Sequence, residues 1–304
     1  MKTVVVIDFK CIYNIALYSI LNGKRACMFP TQEDEMKHRL FGILTCTRFK
    51  YPEAKIILAN DTKPYWREGY MNKWYLERNQ ETVLYKGNRL DKDWVFQSTE
   101  EDMESAAGQV KISASRALDF YVIEDMGLEA DDVWGLLVKQ NDYDNLIGLT
   151  TDSDWAQLCG DKVAIEHPLT GELSRQIYDI RIKYVAGDPG DNILGCQKTA
   201  KTRWAEKGVK NLLVKDNWYE GLDKEVLDRN YVLTTLPCPL WNLEQSLKML
   251  EQITSVPKPC NFFDEASQYG YNEKLIEELK NEAAQDSFMD GLRSRLKEKF
   301  DAKI

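Results

Sequence analysis

The sequence is poor in the residues that build two common kinds of active site. It has two histidines, His38 and His167, and neither lies beside a cluster of acids. Catalysis by a histidine base therefore has little support, and both are expected to be structural. The seven cysteines are scattered without a Cys-x-x-Cys pair, which argues against a zinc site and a disulfide framework.

Long hydrophobic runs are also missing. No stretch approaches the ~20 apolar residues of a membrane span, and the first apolar run begins at residue 4, which leaves no room for a signal peptide. The content of 43% hydrophobic and 29% charged residues is ordinary for a globular protein. We therefore expect a cytoplasmic protein without membrane contact.

Four short apolar runs are each followed by acidic residues. They occupy residues 4–7, 55–60, 119–124 and 145–151. Runs of this kind predict strands that are buried on both faces, as in a parallel sheet. Ligands bind in the crevice outside the carboxyl ends of such strands, so we expect acids that are distant in sequence to meet there.

Nine carboxylates in five clusters form the candidate site. They are Asp8; Asp61; Glu129, Asp131 and Asp132; Asp152 and Asp154; and Asp188 and Asp191. Converging carboxylates repel one another and need cations or raised pKa values. Without Cys or His beside them, an all-oxygen ligand set suits Mg²⁺ or Mn²⁺. A pair of such ions predicts a two-metal nuclease.

The net charge of −9 by itself argues against a protein that binds nucleic acid, because phosphate contacts need Lys and Arg. Several of the excess acids, however, are the predicted ligands. Basic residues are dense in residues 198–215, where five lysines and one arginine face a single acid. This segment is a candidate for binding the nucleic-acid backbone.

The rest of the chain reads as alternating elements. Helices are expected at residues 11–22 and 33–50, and a hairpin at residues 163–178. Segment 62–95 interleaves aromatic and basic residues with weak periodicity, so we expect it to be functional and outside the core. Beyond residue 187 the pattern indicates helices.

The ordered motifs resemble a known superfamily. Asp8 and Asp61 after the first two strands, YKGNR at residues 85–89, EADD at 129–132, TDSDW at 151–155 and GDPGDNI at 187–193 are similar to the flap endonuclease and 5′–3′ exonuclease superfamily. Chain length and the Tyr-Trp-Arg pattern at residues 65–67 are most similar to its branch of ribonuclease H enzymes from T-even-type bacteriophages. The match spans residues 4 to about 195.

The resemblance implies roles for individual residues. Asp8, Asp61, Glu129, Asp131 and Asp132 would hold one Mg²⁺ ion, and Asp152, Asp154, Asp188 and Asp191 a second, with Mn²⁺ as a substitute. Lys86 and Arg89 would lie on a helical arch and neutralise charge on the scissile phosphate. Residues Tyr65, Trp66, Arg67, Tyr70, Lys73, Trp74 and Tyr75 would offer stacking faces and phosphate contacts to a single strand.

The duplex-binding module of the family departs from its pattern here. The stretch after Asp191 keeps Gly195 but lacks the later glycines of the family, which puts K⁺ binding by this loop in doubt. Lys198, Lys201 and Arg203 are expected to contact duplex phosphates instead.

These observations predict an α/β fold with a central, mainly parallel sheet flanked by helices, a helical arch and a C-terminal helical region. Residues 1–186 would form the nuclease domain, including arch segment 62–95, and residues 187–304 a duplex-binding region. The resemblance implies a monomer that acts on branched or nicked duplex DNA and RNA·DNA hybrids and removes lagging-strand primers. A single-strand-binding protein and a sliding clamp are its expected partners.

Three alternatives stay open at this point. A PIN-type ribonuclease shares the acidic pocket, but segment 62–95 and the C-terminal helices favour a structure-specific DNA enzyme. A noncatalytic nucleic-acid-binding protein would have lost some of the nine acids. An acidic Ca²⁺-binding or scaffold protein would bind metal without cleavage.

Overall fold

The structure is a computed structural model that describes residues 2–21, 30–63, 65–87, 100–124, 127–199, 202–240, 254–255, 258 and 260–284. Its helices are α1 (Phe9–Leu21), α2 (Pro30–Lys50), α3 (Trp66–Glu77), α4 (Glu100–Ala117), α5 (Ala130–Gln140), α6 (Arg181–Ala186), α7 (Glu206–Leu213), α8 (Lys224–Thr234), α9 (Phe262–Gln268) and α10 (Glu273–Ala284). A 3₁₀ helix covers Ser153–Leu158.

The strands of the central sheet are β1 (Thr3–Asp8), β2 (Lys55–Ala59), β3 (Phe120–Ile123), β4 (Asn145–Leu149), β5 (Val163–Glu166), β6 (Leu173–Ser174) and, far along the chain, β11 (Thr254–Ser255). Short strands β7 (Gly187–Asp188), β8 (Ile193–Leu194), β9 (Gln197–Thr199) and β10 (Thr202–Arg203) form two separate hairpins.

The central sheet has the order β11-β3-β2-β1-β4-β5-β6. Its five inner strands are parallel, and the two edge strands are antiparallel to their neighbours. The chain winds from β1 outward to β3 and then crosses to β4 on the other side of β1. This switch point lies at the carboxyl ends of β1 and β4, where open α/β sheets bind ligands.

Strand β1 shows why these residues form a central strand. Val5 and Ile7 pack into the core on one face, whereas Val4 and Val6 pack into the core on the other. All four side chains are buried, because side chains alternate between faces and helices cover both of them. Asp8, the next residue, is therefore the first of the strand to face the crevice.

Two helical layers cover the sheet. Residues of α1, α2, α4, α9 and α10 form the larger core on one face, and residues of α5 and the 3₁₀ helix form the smaller core on the other. The predicted fold class and the predicted hairpin of β5 and β6 are confirmed.

The C-terminal part differs from its prediction. Residues 254–255 add a strand to the central sheet, and α10 packs against α2. Buried Tyr271 and Ile276 thereby complete the larger core. The boundary at residue 187 stays a prediction. Strand β11 and helices α9 and α10 pack with the α/β core rather than apart from it. Strands β7 to β10 form short hairpins where helices were predicted.

The expectation that segment 62–95 lies outside the core is wrong for part of it. Helix α3 buries Met71, Trp74 and Tyr75 against Ile193 and Leu233. Spacings of three and four residues put these side chains on one helical face. Polar residues between them weaken the hydrophobic periodicity, so the sequence did not reveal this face. Residues 88–95 lie outside the described residues.

Within the described residues, no helix is both long and apolar enough to cross a membrane.

Two stacked indoles connect the sheet to the carboxylates. The rings of Trp134 and Trp155 lie 4.7 Å apart and are nearly parallel. Both are fully buried, and a side chain at Gly148 of β4 would put its Cβ 2.6 Å from the Trp155 ring. Glycine at this position therefore gives the indole room to lie on the sheet.

We predict that Gly148→Ala destabilises the protein by about 1–3 kcal/mol, because the added methyl group overpacks this core. The free energy of unfolding in urea, measured with EDTA present, checks it. Gly160→Ala is the matched control, since a Cβ there meets no atom within 4 Å. Equal destabilisation by the two substitutions would contradict the close contact.

Candidate metal centre

Carboxylates from distant segments face one cavity of about 380 Å³ at the carboxyl edge of the sheet. Six of the nine predicted ligands line it: Asp8, Asp61, Glu129, Asp131, Asp152 and Asp191. Lys10 and Lys86 line it as well. The convergence expected from the strand pattern is therefore present in the fold.

Backbone and hydroxyl donors orient the acids on the sheet. Asp8 accepts hydrogen bonds from the Cys11 amide (2.9 Å) and the Thr150 hydroxyl (2.8 Å). Asp61 accepts one from the amide of Ala130 (2.8 Å) in the first turn of α5, the end of a helix that favours negative charge. Asp152 caps the 3₁₀ helix by accepting from the Asp154 amide at 2.8 Å.

Asp131, Asp152 and Asp154 form the tightest group, since each offers an oxygen within 4.8 Å of the others. The Trp155 indole donates to Asp131 at 2.7 Å. Lys183 of α6 forms ion pairs with Asp154 and with Asp188, the latter at 2.5 Å. A single lysine thus connects α6 to two of the predicted ligands.

Burial, and to a smaller extent the nearby acids, raise several of the pKa values. Burial and the nearby Asp61 raise the pKa of Asp8 from 3.8 to about 7. Burial, Asp152 and Asp188 raise the pKa of Asp154 to about 6, against the lowering effect of Lys183. Burial and neighbouring acids also raise the pKa values of Asp61 and Asp131.

This donor set fits divalent cations. Its ligand atoms are carboxylate oxygens, which hard ions such as Mg²⁺ and Mn²⁺ prefer. The raised pKa values mean that several acids resist ionising together, and a bound cation removes that cost. The two histidines do other work: His38 lies 2.5 Å from the Tyr269 carbonyl, and His167 accepts from backbone amides.

Glu129 is held by cations from two segments. Arg67 donates to its Oε2 at 2.7 Å, and Lys86 forms an ion pair with its Oε1. Tyr85 donates to Oε2 at 3.0 Å. Burial by itself would raise the pKa of Glu129, but Arg67 and Lys86 outweigh burial and the pKa lies below its ordinary value. This carboxylate is therefore ionised and fixed.

Arg67 and Asp132 form a buried ion pair instead of meeting nucleic acid or metal. Arg67 is 2% exposed and binds both oxygens of Asp132 at 2.7 and 2.9 Å. Asp132 is fully buried and accepts a further bond from the Trp66 indole at 3.0 Å. The prediction that Arg67 contacts a nucleic-acid strand is corrected, and Asp132 is left out of the ligand set proposed below.

The same arginine connects three elements. Its Nε donates to the Leu233 carbonyl of α8 at 2.9 Å, and its other nitrogens bind the first turn of α5. Asp132 also accepts from the Glu129 amide at 3.0 Å, completing a capping box. Helix α3 therefore positions Glu129 through Arg67.

Lys86 enters the cavity from a strained backbone position. Its φ of +55° lies in the left-handed region, and its amide donates to the Asp191 carbonyl at 2.9 Å. The Tyr85 hydroxyl also lies 2.9 Å from the Asp191 carboxylate, so Glu129 and Asp191 share its one proton as acceptors. The two neighbours thus attach their segment to the loop after β7. Arg89 lies outside the described residues.

The hairpin of β7 and β8 positions Asp188 and Asp191. Gly187 has φ +75°, and a Cβ there would lie 2.3 Å from the Ile193 carbonyl, so only glycine allows this close turn. Asp188 accepts from the Gly190 amide at 2.8 Å. The turn brings Asp191 to the cavity, whereas Asp188 lies beside Asp154 through Lys183.

The predicted nucleic-acid contacts have different surroundings. Tyr65 is half-buried beneath the Lys86 ammonium, which lies 4.9 Å from its ring. Lys73 is highly exposed, whereas Trp74 and Tyr75 belong to the core and are unsuited to stacking. Lys198 and Arg203 lie in β9 and β10, their side chains are not described, and Lys201 lies outside the described residues.

Sequence reasoning missed several residues of the centre. Tyr85 and Trp155 stood inside recognised motifs, and an aromatic donor next to a motif acid was an available signal. Lys10 follows Asp8 by two residues and lines the cavity. Lys183 lies on a short helix in an ordinary stretch, so nothing in the sequence marked it.

Comparison with known proteins gives limited sequence similarity. No family model matches the chain. An alignment 153 residues long, which covers 46% of the chain, shows 32% identity to the thermostable DNA polymerase I of Thermus thermophilus and the same identity to that of Thermus caldophilus. The match covers 18% of the length of those polymerases.

Solved structures give the fold. The bacteriophage T5 D15 protein co-crystallised with metal ions matches 94% of this chain and all of its own, with a TM-score of 0.51 and 18% identity. The T5 D15 flap endonuclease in a product complex with DNA and metal ions matches 94% of this chain and 99% of its own, with a TM-score of 0.52 and 17% identity. The chain therefore has the fold of the T5 D15 flap endonuclease, and the predicted resemblance to the flap endonuclease and 5′–3′ exonuclease superfamily is confirmed at the level of the fold.

Proposed function

We propose that this protein is a metal-dependent 5′–3′ exonuclease and flap endonuclease that hydrolyses phosphodiesters of DNA and RNA·DNA duplexes. One observation carries the proposal: six carboxylates from five separate segments and the Lys86 ammonium face the same cavity. The similarity to DNA polymerase I and to a flap endonuclease supports the choice of substrate.

Two groups of acids would hold two divalent ions. Asp8, Asp61, Glu129 and Asp131 form the proposed first set, and Asp152, Asp154, Asp188 and Asp191 the second. Asp131 stands between the sets, because its oxygen lies within 4.8 Å of those of Asp152 and Asp154. When bound, the ions would activate a water for attack and stabilise the leaving 3′ oxygen.

The residues of the chain supply position and charge. Lys86 is ionised, because Glu129 and Asp191 raise its pKa above the ordinary value even though burial lowers it. Its ammonium can neutralise charge that develops on the scissile phosphate. Arg67 and Lys183 would be positioning residues. Each forms ion pairs with carboxylates of the site, and neither lines the cavity.

The cellular role follows from the substrate. We propose removal of lagging-strand RNA primers in the cytoplasm by a monomer, with Mg²⁺ as the cofactor and Mn²⁺ as a substitute. Recruitment by a single-strand-binding protein or a sliding clamp belongs to the same proposal.

A set of end-labelled substrates tests the function: a 5′ flap, a nicked duplex, an RNA·DNA hybrid and single-stranded RNA, each with Mg²⁺ or EDTA. We expect Mg²⁺-dependent cleavage near the 5′ end of the first three. Cleavage of single-stranded RNA alone would identify a PIN-type ribonuclease instead. Binding without cleavage in Mg²⁺ or Mn²⁺ would overturn the proposal.

We predict that Asp152→Asn lowers the cleavage rate roughly 10²-fold or more. Changing a residue that only supports a metal ligand costs about 10- to 100-fold, and loss of the ligand itself should cost at least as much. Affinity for flap DNA should stay within about 2-fold, since phosphate contacts lie elsewhere. Single-turnover rates and fluorescence anisotropy measure the two effects. Asp161→Asn, at an exposed site, is the control, and wild-type activity in both variants would remove Asp152 from the centre.

We predict that Lys86→Ala slows single-turnover cleavage. The activation free energy should rise by roughly 2–4 kcal/mol, the loss expected for a preorganised donor. Lys86→Arg should recover part of the rate because it keeps the charge. Lys139→Ala, at the far end of α5 and exposed, should behave as wild type. An unchanged rate in Lys86→Ala would exclude a role in the reaction.

The raised pKa of Asp8 predicts a pH-dependent loss of stability without metal. Between 3.8 and about 7 the folded protein holds a proton that the unfolded chain releases, so the free energy of unfolding falls as pH rises through this window. Asp8→Asn lacks this loss. In EDTA the variant should exceed wild type at pH 8 by on the order of 1–4 kcal/mol and match it below pH 4.

Urea denaturation at several pH values measures this difference, and comparing the two proteins cancels the opposite contribution of Glu129. Adding Mg²⁺ at pH 8 should stabilise wild type more than Asp8→Asn. A stability difference between the two proteins that does not change with pH would show that the pKa of Asp8 is not raised in the folded protein.

A further inference from the structure

The segment that carries Lys86 is a tight turn of residues 84–87. The Gly87 amide donates to the Leu84 carbonyl at 3.0 Å, and this hydrogen bond closes the turn. Lys86 is the third residue of the turn, where its φ is +55°. A lysine adopts this left-handed region at a cost. Such a backbone persists only where surrounding contacts hold it.

Two contacts from the loop between β7 and β8 hold this turn. The Lys86 amide donates to the Asp191 carbonyl at 2.9 Å. The side-chain amide of the next residue, Asn192, donates to the Leu84 carbonyl at 3.0 Å. The loop therefore contacts the turn both at Lys86 and two residues before it. One of these contacts is made by the main chain and the other by a side chain.

The Asn192 side chain does something that the shape of its loop does not require. Asn192 has φ +59°, a conformation that asparagine tolerates better than most residues do and that glycine adopts freely. Glycine at this position would therefore serve a purely local role. The asparagine amide instead reaches a carbonyl 108 residues earlier in the chain. Its hydrogen bond thus joins two distant segments beside the metal centre.

The turn decides where the Lys86 ammonium lies. The ammonium forms an ion pair with Glu129 and lies 4.9 Å from the Tyr65 ring. A lysine side chain is long and flexible, so its ammonium is preorganised only when the backbone that carries it is fixed. A displacement of about 1 Å at a reacting centre can cost on the order of 10²-fold in rate. A contact that fixes the turn therefore bears on the reaction without touching the substrate.

We propose that Asn192 is a positioning residue of the nuclease reaction. Its amide holds the turn of residues 84–87 against the loop that carries Asp191, and it thereby directs the Lys86 ammonium into the carboxylate cavity. Asn192 itself does not line that cavity, so it acts through Lys86. This inference rests on the proposed nuclease function and adds to it a residue whose side chain meets neither metal nor phosphate.

Hydrogen exchange tests the contact without any assay of activity. Asn192→Gly keeps the left-handed backbone and removes only the side-chain amide. In this variant the Lys86 amide should exchange roughly 3- to 10-fold faster than in wild type, the effect expected for loss of one hydrogen bond. Asn192→Asp keeps the shape of the side chain but not the donor, and it should show the same increase. Residue-resolved exchange of the metal-free protein measures both.

Asn141→Gly is the matched control. Asn141 is also left-handed, with φ +54°, and it caps α5 at the end away from the metal centre. Its replacement should leave exchange of the Lys86 amide unchanged. An unchanged exchange rate in both Asn192 variants would show that the amide does not hold the turn, and it would overturn the proposal.

A double-mutant cycle tests the effect on the reaction. We expect Asn192→Gly to lower the single-turnover rate on a 5′-flap substrate roughly 3- to 10-fold. In the Lys86→Ala background the same substitution should change the rate by less than about 2-fold, because no ammonium is left to position. An equal loss in both backgrounds would show that Asn192 acts by another route and would overturn the proposal.

Metal binding separates Asn192 from the ligand beside it. Since Asn192 follows Asp191, its replacement could disturb that carboxylate instead of Lys86. In urea denaturation, Mg²⁺ should stabilise Asn192→Gly and wild type alike, with the same Mg²⁺ concentration giving half of the effect. A higher concentration for the variant alone would assign its effect to Asp191 and contradict positioning through Lys86.

The outcomes distinguish this proposal from the proposed function. If wild type cleaves no substrate, the nuclease function fails whatever hydrogen exchange shows. If wild type cleaves the flap, and Asn192→Gly matches Asn141→Gly in both exchange and rate, the function stands and Asn192 serves only the shape of its loop.

Discussion

Mutual repulsion of carboxylates at the carboxyl edge of the sheet is the constraint on which the site depends. Asp8, Asp61 and Asp131 have raised pKa values because burial and neighbouring acids oppose their ionisation. The fold therefore holds a local cost in the metal-free state, and it tolerates that cost because the parallel strands beneath are buried on both faces. A bound divalent cation would relieve this repulsion, so the repulsion favours cation binding at the site.

Two cations limit this cost. Arg67, which is buried, pairs with Glu129 and Asp132, and Lys183, which is partly buried, pairs with Asp154 and Asp188. Neither Arg67 nor Lys183 lines the cavity. Both therefore contact the carboxylates from outside the cavity and do not occupy the space where ligands would bind. Breaking a buried pair leaves an unpaired charge, so these ion pairs connect α3 and α6 to the acids at the edge of the sheet.

The charge around the centre changes over a short distance. Six carboxylates line the metal cavity, whereas Lys10, Lys63 and Lys111 line the adjoining cavity between α1, α4 and the carboxyl ends of β2 and β3. Lys10 and Asp61 form the wall that the two cavities share, so regions with opposite charge preferences lie next to each other.

The sequence by itself determined the parallel sheet and the convergence at its edge, because period, burial and strand order are local or follow from general rules of α/β folds. It did not determine which polar residues were buried. From the sequence, Arg67 was predicted to contact nucleic acid and Asp132 to bind metal. In the fold, α3 lies beside α5 and the two side chains bind each other. The sequence around Lys183 carries no signal of its ion pairs with Asp154 and Asp188. Only tertiary packing decides which charges meet, since electrostatic partners depend on distance in space and not along the chain.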